Sequence, residues 1–324
     1  MTTSRTFTSI DLGKLFNKPD TGIMLPYFDT PSQETPSQNP AFVFPAWSFD
    51  CLRLLSTQEN IWLAGPTGCG KSESIRTIAG MLNTGLIEIT GHSRLELSDL
   101  LGIYTLQTRE GETSPSMQWQ DGALTAAIRG GHWLLINEVD LIPPETLAGL
   151  NTVLDGQSLT LPEHGNEVVR PAQGFRIIVT ANSNGTGDDT GLYSGIQRQN
   201  LALMDRFTVV QCDYLDERIE QKILASAVPS LPSNVIETIV NVANNVRRIF
   251  CGNGNADETA SLDVTMSVRT TLRWAKLCAM YAKETRNGGA LHFSLDLALL
   301  NRASNETSFA IHEILQRYTG QASL

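Results

Sequence analysis

The sequence predicts an α/β fold in which helices flank a mostly parallel sheet, followed by a smaller domain built from helices. Five short strand-like runs alternate with helical patterns, an order typical of parallel sheets covered by helices; they are Ile61–Ala64, Leu86–Ile89, Trp133–Ile136, Phe175–Thr180 and Thr208–Gln211. After Asp213 only helical patterns follow. A glycine-rich loop comes directly after the first strand, at the strand end where open α/β sheets bind ligands.

The glycine-rich loop matches the phosphate-binding pattern G-x-x-x-x-G-K-[ST] through Gly65, Pro66, Thr67, Gly68, Cys69, Gly70, Lys71 and Ser72. A helical pattern with regularly spaced apolar residues follows it. Glycines let successive backbone N–H groups turn toward phosphate oxygens, and the helix N-terminus adds the positive end of its dipole. In this pattern the lysine reaches the β- and γ-phosphates and the hydroxyl holds Mg²⁺. The loop therefore predicts binding of a nucleoside triphosphate with Mg²⁺.

Two polar residues, Asn137 and Glu138, follow the third strand-like run. In P-loop ATPases a carboxylate at this place supports Mg²⁺, and the next one orients or deprotonates the attacking water. Glu138 is accordingly the predicted catalytic carboxylate. Asn137 stands where the first carboxylate usually stands. Because an amide supplies no charge, we expect weaker metal binding at a site that can still function.

Three further polar residues are candidates for phosphate recognition. Asn182 ends the fourth strand-like run and can direct its amide toward the γ-phosphate. Arg206 follows a predicted helix, and Arg269 lies in the C-terminal helical region. Arginine suits both places because its guanidinium stays charged and binds two phosphate oxygens at once. Taken alone, either arginine is also compatible with a surface ion pair.

The composition is that of an acidic globular protein. The formal net charge of the 324 residues is −10 and the pI is near 5.0, which on average repels nucleic acid and anionic membranes. No stretch approaches the roughly 18 apolar residues that a membrane span needs. Five cysteines form no C-x-x-C pair, and their odd number argues against a disulfide framework. We therefore expect a soluble, cytoplasmic protein without a membrane or nucleic-acid partner.

Proline, serine and glutamine dominate residues 30–40, which predicts an extended linker. The predicted domains are thus an N-terminal segment with its linker at 1–43, an α/β nucleotide-binding core at 44–212 and a helical lid at 213–324.

Two helices of the lid can be predicted in more detail. Ser233 is expected to cap the first of them. The second is expected to stop at Gly320 and to carry on its apolar face Phe309, Ile311, Ile314 and Leu315.

Taken together, these motifs resemble those of the AAA+ ATPases and, more narrowly, of the MoxR/CobS branch. The similarity is most specific in residues 180–207, TANSNGTGDDTGLYSGIQRQNLALMDRF, which resemble the CobS run from sensor 1 to the arginine finger without a gap. It extends upstream through residues 15–44 and 91–102, and downstream through 267–276 to the runs SLDLALLNRAS and EILQRYTG. Over nearly its whole length the chain is identified as a member of this branch. Within the branch it is most similar to CobS, the motor subunit of aerobic cobaltochelatase.

The resemblance implies a role for each motif. The implied roles are Walker A for Gly65 to Ser72, Walker B for Asn137 and Glu138, sensor 1 for Asn182, the arginine finger for Arg206 and sensor 2 for Arg269. Two inserts are also implied, a helix-2 insert at 100–120 with a turn at Glu110-Gly111-Glu112, and a hairpin before sensor 1 at 158–174. Both inserts would face the ring pore or a partner. Asn137 departs from the usual aspartate of the family, which bears on turnover rather than on nucleotide binding.

An arginine finger acts on the nucleotide of a neighbouring subunit. The resemblance therefore implies a ring of copies of this chain, expected to be a hexamer, which couples ATP hydrolysis to remodelling of a partner protein. The implied partner carries a von Willebrand factor A domain, as CobT supplies to CobS.

Several functions stay open within and beyond this interpretation. The motor could serve cobalt insertion into a corrinoid, or activation of another target as in the CbbQ/NorQ and MoxR groups; the general motor is favoured because no feature of the chain is specific for a tetrapyrrole. A slow, ATP-bound scaffold is a second class, to which Asn137 points. A nucleic-acid motor is a third, opposed by the acidic balance and by the lack of interleaved aromatic and basic residues.

Overall fold

The computed structural model describes residues 5–57, 59–108, 114–187, 195–251, 262–283 and 289–320. Its contacts separate two compact units. The first contains Met1–Pro66 and Gly70–Asp213, and the second contains Thr67–Cys69 and Tyr214–Leu324. Within the described ranges, none of the helices has both the length and the apolar character that a membrane span requires.

The first unit holds the strands and the second unit is helical in its described part. The strands are β1 (Phe7–Asp11), β2 (Met24–Phe28), β3 (Ile61–Ala64), β4 (Leu86–Thr90), β5 (Gly102–Gln107), β6 (Ser116–Asp121), β7 (Trp133–Asn137), β8 (Leu159–Leu161), β9 (Glu167–Val169), β10 (Arg176–Ala181) and β11 (Thr208–Gln211). The α-helices are α1 (Leu12–Leu15), α2 (Ser48–Thr57), α3 (Lys71–Met81), α4 (Leu97–Leu101), α5 (Ala123–Gly130), α6 (Pro144–Ala148), α7 (Asn151–Leu154), α8 (Leu201–Met204), α9 (Glu217–Ala227), α10 (Ser233–Phe250), α11 (Val268–Met280), α12 (Ala290–Ala298) and α13 (Asn305–Thr319). Short 3₁₀ turns lie at Val139–Leu141, Pro162–His164 and Leu300–Arg302.

The central sheet has five strands in the order β11-β3-β10-β7-β4, and every neighbouring pair is parallel. Its inner strands β3, β7 and β10 are buried almost residue by residue, which explains why they read as apolar runs rather than as alternating patterns. Each of the five predicted runs forms one of these strands. The sheet and the helices that follow it confirm the predicted fold class.

The carboxyl ends of neighbouring strands bring the candidate residues to one edge of this sheet. β3 ends at Ala64, directly before Gly65, and Ala64 pairs with Ala181 of β10. β7 lies on the other side of β10 and ends at Asn137. The phosphate loop, the end of β7 and Asn182, which follows β10, are therefore neighbours in space although they are far apart in sequence.

Residues 30–40, predicted as an extended linker, contain neither helix nor strand. They nevertheless hydrogen bond to the core. The backbone N–H of Leu86 donates to the carbonyl oxygen of Glu34 at 2.9 Å, and Gln38 Nε2 donates to the carbonyl oxygen of Gly80 at 3.2 Å. This segment thus lies against the α/β core.

Two antiparallel hairpins, β5–β6 and β8–β9, coincide with the inserts predicted at 100–120 and 158–174, except that β6 extends one residue further, to Asp121. The turn predicted at Glu110-Gly111-Glu112 lies outside the described residues. The hairpins contact each other through aromatic side chains. The Trp119 and His164 rings stack with centroids 4.7 Å apart, and Tyr104 Oη lies 3.0 Å from His164 Nδ1. The two inserts therefore form one joined structure.

Two details of the predicted lid helices were wrong. Ser233 is the first helical residue of α10 and does not cap it, because the preceding N-cap position is taken by Pro232, which has no side-chain hydrogen bond to offer. Phe309 is 64% exposed although Ile311 is fully buried. Two residues along an α-helix are about 200° apart, so these two side chains point in nearly opposite directions.

The helices predicted to form a lid share a buried ion pair between α9 and α10. Arg247 donates to both carboxylate oxygens of Glu220 at 2.6 and 2.8 Å, and the two side chains are 4% and 0% exposed. Arg247 Nε also donates to the carbonyl oxygen of Met266, and Thr271 Oγ1 on α11 donates to Glu220 at 2.6 Å. The pair thus links three helices of the second unit.

Candidate active site

The loop between β3 and α3 requires glycine at several positions, of which Gly65 and Gly70 are the clearest. A Cβ added at Gly65 would lie 2.2 Å from the carbonyl oxygen of Cys212, so a side chain does not fit there. Gly70 has a φ of 93°, in the left-handed region that favours glycine, and it directly precedes the first helical residue, Lys71. The loop therefore ends at a helix N-terminus, where backbone N–H groups are available to phosphate oxygens.

The middle of the loop belongs to the second unit. Pro66 lies with the first unit, whereas Thr67, Gly68 and Cys69 group with the helices. The Tyr214 hydroxyl donates to the carbonyl oxygen of Thr67 at 3.1 Å.

Lys71 has three oxygen neighbours and is 8% exposed. Its Nζ donates to the carbonyl oxygens of Gly65 at 2.6 Å and Pro66 at 3.0 Å, and to Asn182 Oδ1 at 3.4 Å. The structure thus brings together the predicted phosphate-binding lysine and the predicted sensor. Phosphate oxygens are stronger partners for an ammonium than neutral carbonyls are, so these positions suit exchange for a bound phosphate.

Ser72, Asn137 and Thr180 form an oxygen-rich cluster beside the first turn of α3. Both hydroxyls donate to Asn137 Oδ1, from Ser72 at 2.5 Å and from Thr180 at 3.3 Å. Mg²⁺ prefers oxygen ligands and usually keeps several waters, with few protein ligands and the phosphates of its substrate. The donor chemistry of this cluster therefore fits Mg²⁺. In the described ranges no three His, Cys, Asp or Glu side chains group so as to hold a metal ion by themselves.

Glu138 is joined to the predicted sensor, since Asn182 Nδ2 donates to Glu138 Oε2 at 3.0 Å. Burial raises the pKa of the Glu138 carboxyl, and the charge of Asp140 raises it further. Lys71 and the Asn182 amide act in the opposite direction. A carboxylate with a raised pKa accepts a proton from water more readily, as a general base must.

Asp140 is a residue of this site to which the sequence analysis gave no role. It is fully buried, and its Oδ2 accepts from the backbone N–H groups of Asn182 at 2.8 Å and Ser183 at 3.1 Å. Burial raises the pKa of the Asp140 carboxyl, while these N–H donors act against that rise. Asp140 thus fixes the backbone that carries Asn182. The available signal was an acidic residue two positions after Glu138 in an otherwise apolar stretch.

Arg206 lies away from these residues, at the opposite edge of the sheet. It comes two residues before β11, which runs parallel to β3, so it lies near the start of β3 whereas the phosphate loop follows its end. Four residues of strand separate the two edges by about 10 Å. The guanidinium instead pairs with Asp155 through Nε at 2.8 Å and Nη2 at 2.9 Å, and this carboxylate raises the pKa of Arg206.

Arg269 is exposed in the first turn of α11. The N-cap of this helix is Ser267, whose hydroxyl accepts from the backbone N–H of Thr270 at 3.1 Å.

Comparison with known proteins places these features in a family. The AAA domain of the dynein-related subfamily matches residues 60–225, and the C-terminal domain of CbbQ, NirQ and NorQ proteins matches residues 220–318. The chain is 28% identical to the aerobic cobaltochelatase subunit CobS of Sinorhizobium sp over 320 residues, which cover 97% of this chain and 91% of CobS. It is also 33% identical over 214 residues to an uncharacterized protein of Staphylococcus haemolyticus, covering 66% of this chain and 78% of that protein.

Solved structures support the fold alone. A RuvB variant from Thermotoga maritima superposes with a TM-score of 0.50 at 14% sequence identity, covering 85% of this chain and 75% of RuvB.

Proposed function

Because the chain belongs to the dynein-related subfamily of AAA domains, in the MoxR/CobS branch of AAA+ ATPases, we propose that it hydrolyses ATP to ADP and phosphate with Mg²⁺. The observation that carries the proposal is the hydrogen bond from Asn182 Nδ2 to Glu138 Oε2. Lys71 contacts the same asparagine through its Oδ1. A base, an amide and a phosphate-binding ammonium are therefore connected at the end of the phosphate loop.

Each group has a role in the proposed reaction. Backbone N–H groups of the loop and Lys71 bind the triphosphate, and Ser72 and Asn137 would hold Mg²⁺, which when bound neutralises charge on the phosphate oxygens. Glu138 orients the attacking water and accepts its proton while the water oxygen bonds to the γ-phosphorus and the bond to ADP breaks. Asn182 keeps Glu138 aligned with the γ-phosphate.

A steady-state ATPase assay with and without single-stranded DNA tests this proposal against its rivals. We expect Mg²⁺-dependent phosphate release that DNA leaves unchanged. Tight ATP binding without turnover would instead support a scaffold, a class that the uncharged Asn137 favours. Stimulation by DNA would support a nucleic-acid motor.

We further propose that the chain acts as a ring of identical subunits, a hexamer, in the cytoplasm. Support comes from Arg206, which lies at the sheet edge opposite the phosphate loop of its own chain. A guanidinium at that edge can reach a nucleotide only on a neighbouring copy. Head-to-tail contacts of this kind form a ring when the rotation between neighbouring subunits closes.

The proposed partner is a protein with a von Willebrand factor A domain, similar to CobT, held through residues 100–120. Support comes from the β5–β6 hairpin, which exposes large apolar side chains: Ile103, Leu106 and Met117 are 46%, 68% and 61% exposed. Exposed apolar groups close together are typical of protein interaction sites. Hydrolysis is useful to such a motor only if the partner is bound differently in the ATP and ADP states.

Co-purification from the native host, followed by binding measured with ATP and with ADP, tests the partner. We expect a protein with this domain and tighter binding in the ATP state. A Leu106→Ser variant should weaken binding of the partner protein, whereas its affinity for ATP should stay unchanged. Equal affinity in both nucleotide states, or no such protein, would contradict the proposal.

Cobalt insertion is the more specific alternative, and the full-length similarity to CobS favours it. It would be established if the purified ring and its partner together insert cobalt into a corrinoid precursor in the presence of ATP. Absence of insertion with a bound, ATP-responsive partner would leave the general motor as the function.

A further inference from the structure

The amide of Asn137 is held in one orientation by its neighbours. Its Nδ2 donates to Glu88 Oε2 at 3.4 Å, and its Oδ1 accepts from Ser72 at 2.5 Å. An ionised carboxylate only accepts hydrogen bonds, whereas a hydroxyl can either donate or accept. Glu88 is therefore the group that decides which end of the amide faces Ser72. With Glu88 in place, the amide oxygen faces the predicted metal ligand.

Glu88 reaches this position from the neighbouring strand. It lies on β4, which pairs in parallel with β7, and Arg76 on α3 holds it from the other side. Arg76 Nε and Nη2 donate to Glu88 Oε1 and Oε2 at 2.6 and 2.8 Å, and Arg76 Nη1 donates to Glu73 Oε2 at 3.0 Å. Two carboxylates and one guanidinium leave this group of three with a net charge of −1.

The charge that Asn137 lacks is thus present one hydrogen bond away. Arg76 and Glu73 lie on α3 within four residues of Ser72, so the charged group borders the same cluster of oxygen atoms. An aspartate at position 137 beside Glu88 would place two carboxylates in contact, and like charges at such a distance repel each other. Asn137 and Glu88 are therefore complementary: the neutral amide avoids charge repulsion with Glu88, and Glu88 supplies the negative charge that the amide lacks.

We propose that Glu88 is a positioning residue for the divalent cation of this site: it orients the Asn137 amide oxygen toward the cation and supplies the missing negative charge. The inference rests on the proposed function, since it assumes that a metal–nucleotide complex binds here. Glu88 acts through Asn137 and is not itself a ligand. Partners of metal ligands typically change metal affinity about 10–100-fold when they are removed.

The test is a double-mutant comparison of Mn²⁺ affinity. Mn²⁺ is titrated into the full chain with bound ATPγS, and free Mn²⁺ is followed by electron paramagnetic resonance, for wild type, Glu88→Gln, Asn137→Asp and the double variant. We expect Glu88→Gln to weaken Mn²⁺ binding about 10-fold. Asn137→Asp should gain little in wild type, whereas in the Glu88→Gln background it should restore at least wild-type affinity.

Glu73→Gln is the matched control, because it removes the same charge from Arg76 without touching Asn137. It should weaken Mn²⁺ binding less than Glu88→Gln does. Equal effects of the two variants, unchanged affinity in Glu88→Gln, or additive effects in the double variant would each overturn the positioning role. ATPγS affinity of the wild type measured in saturating Mg²⁺ separates this inference from the proposed function, since absence of ATPγS binding under that condition would refute the proposed function itself.

Discussion

Glu138 has a backbone conformation that is uncommon for a residue with a side chain, with a φ of 52°. Its backbone N–H donates to Thr180 Oγ1 at 3.4 Å, and its carboxylate accepts from Asn182. Thr180 lies in β10, the strand next to β7, and Asn182 directly follows that strand. Such conformations persist where neighbouring structure enforces them, and they are frequent at active sites.

Lys71→Ala and Glu138→Gln should separate ATP binding from hydrolysis. Lys71 is expected to contact the ground-state phosphates, so its loss should abolish ATP binding. Glu138 acts on the attacking water, so Glu138→Gln should keep binding and lose about 10²–10⁴-fold in rate. Fluorescent-nucleotide binding and phosphate release measure the two effects. Similar turnover in wild type and Glu138→Gln would refute the assignment of the base.

The raised pKa of Glu138 predicts an acid limit to hydrolysis. Because burial and Asp140 raise this pKa, the protonated fraction at a given pH exceeds that of an ordinary glutamate, whose pKa is about 4.3. Only the ionised carboxylate can accept a proton, so kcat should fall as the pH is lowered through the raised value. A pH profile of kcat checks this, with ATP binding at each pH as control. A rate that stays constant down to the ordinary glutamate value would be inconsistent with a buried base.

Among individual residues, the sequence predicted those whose position follows from their immediate neighbours in the chain. Lys71 follows a glycine loop, and Glu138 and Asn182 each follow an apolar strand. Thr180 and Glu88 were not predicted, because their contacts with Asn137 depend on which strands are neighbours in the sheet. That order, with β4 and β10 on either side of β7, cannot be seen in the local pattern of residues.

Among the structural elements, the packing of the predicted lid helices depends on an ion pair that is buried between them. Burying two charges is costly, and removing one partner leaves the other without compensation. Periodicity predicts which helix faces are apolar, but a buried Arg247 reads in sequence like any surface arginine. The prediction for Phe309 was wrong for a different reason: it was grouped on one apolar face with Ile311, although two residues along a helix lie on nearly opposite sides, and Phe309 is exposed.

Arg247→Ala should destabilise the lid by about 3–5 kcal/mol, because Glu220 would be left buried and unpaired. Arg248→Ala is the control, because Arg248 is exposed on the same helix. Such a surface substitution usually changes the free energy of unfolding by no more than about 0.5 kcal/mol. Urea unfolding followed by circular dichroism measures both variants. If the two substitutions had equal effects, the ion pair would not be a main source of lid stability.

For the whole molecule, the parallel strand order separates the two halves of the proposed catalytic machinery. Gly65 follows the end of β3, whereas Arg206 precedes β11 beside the start of β3. One chain therefore presents its phosphate loop at one edge of the sheet and its arginine at the other. This separation follows from the order of the strands in the sheet, so it cannot be predicted from a local sequence motif.

Mixing two inactive variants tests whether Arg206 acts between subunits. Arg206→Ala should still bind ATP but hydrolyse it up to about 10³-fold more slowly. Adding Lys71→Ala subunits should recover activity, since at equal mixing about a quarter of head-to-tail interfaces combine an intact loop with an intact arginine. Titration of one variant into the other follows phosphate release. Mixtures that never exceed the two parent proteins would rule out action in trans.

The bidentate pair between Arg206 and Asp155 has a consequence for how such a ring would assemble. Asp155 already occupies the guanidinium, so a neighbour must displace an internal carboxylate before it can use this arginine. A subunit without nucleotide has no phosphate with which to compete, and the arginine then stays with its own chain. Assembly would therefore favour neighbours that have bound nucleotide. Because Asp155 competes with phosphate for the guanidinium, it would determine how strongly the ring discriminates between nucleotide-bound and empty subunits.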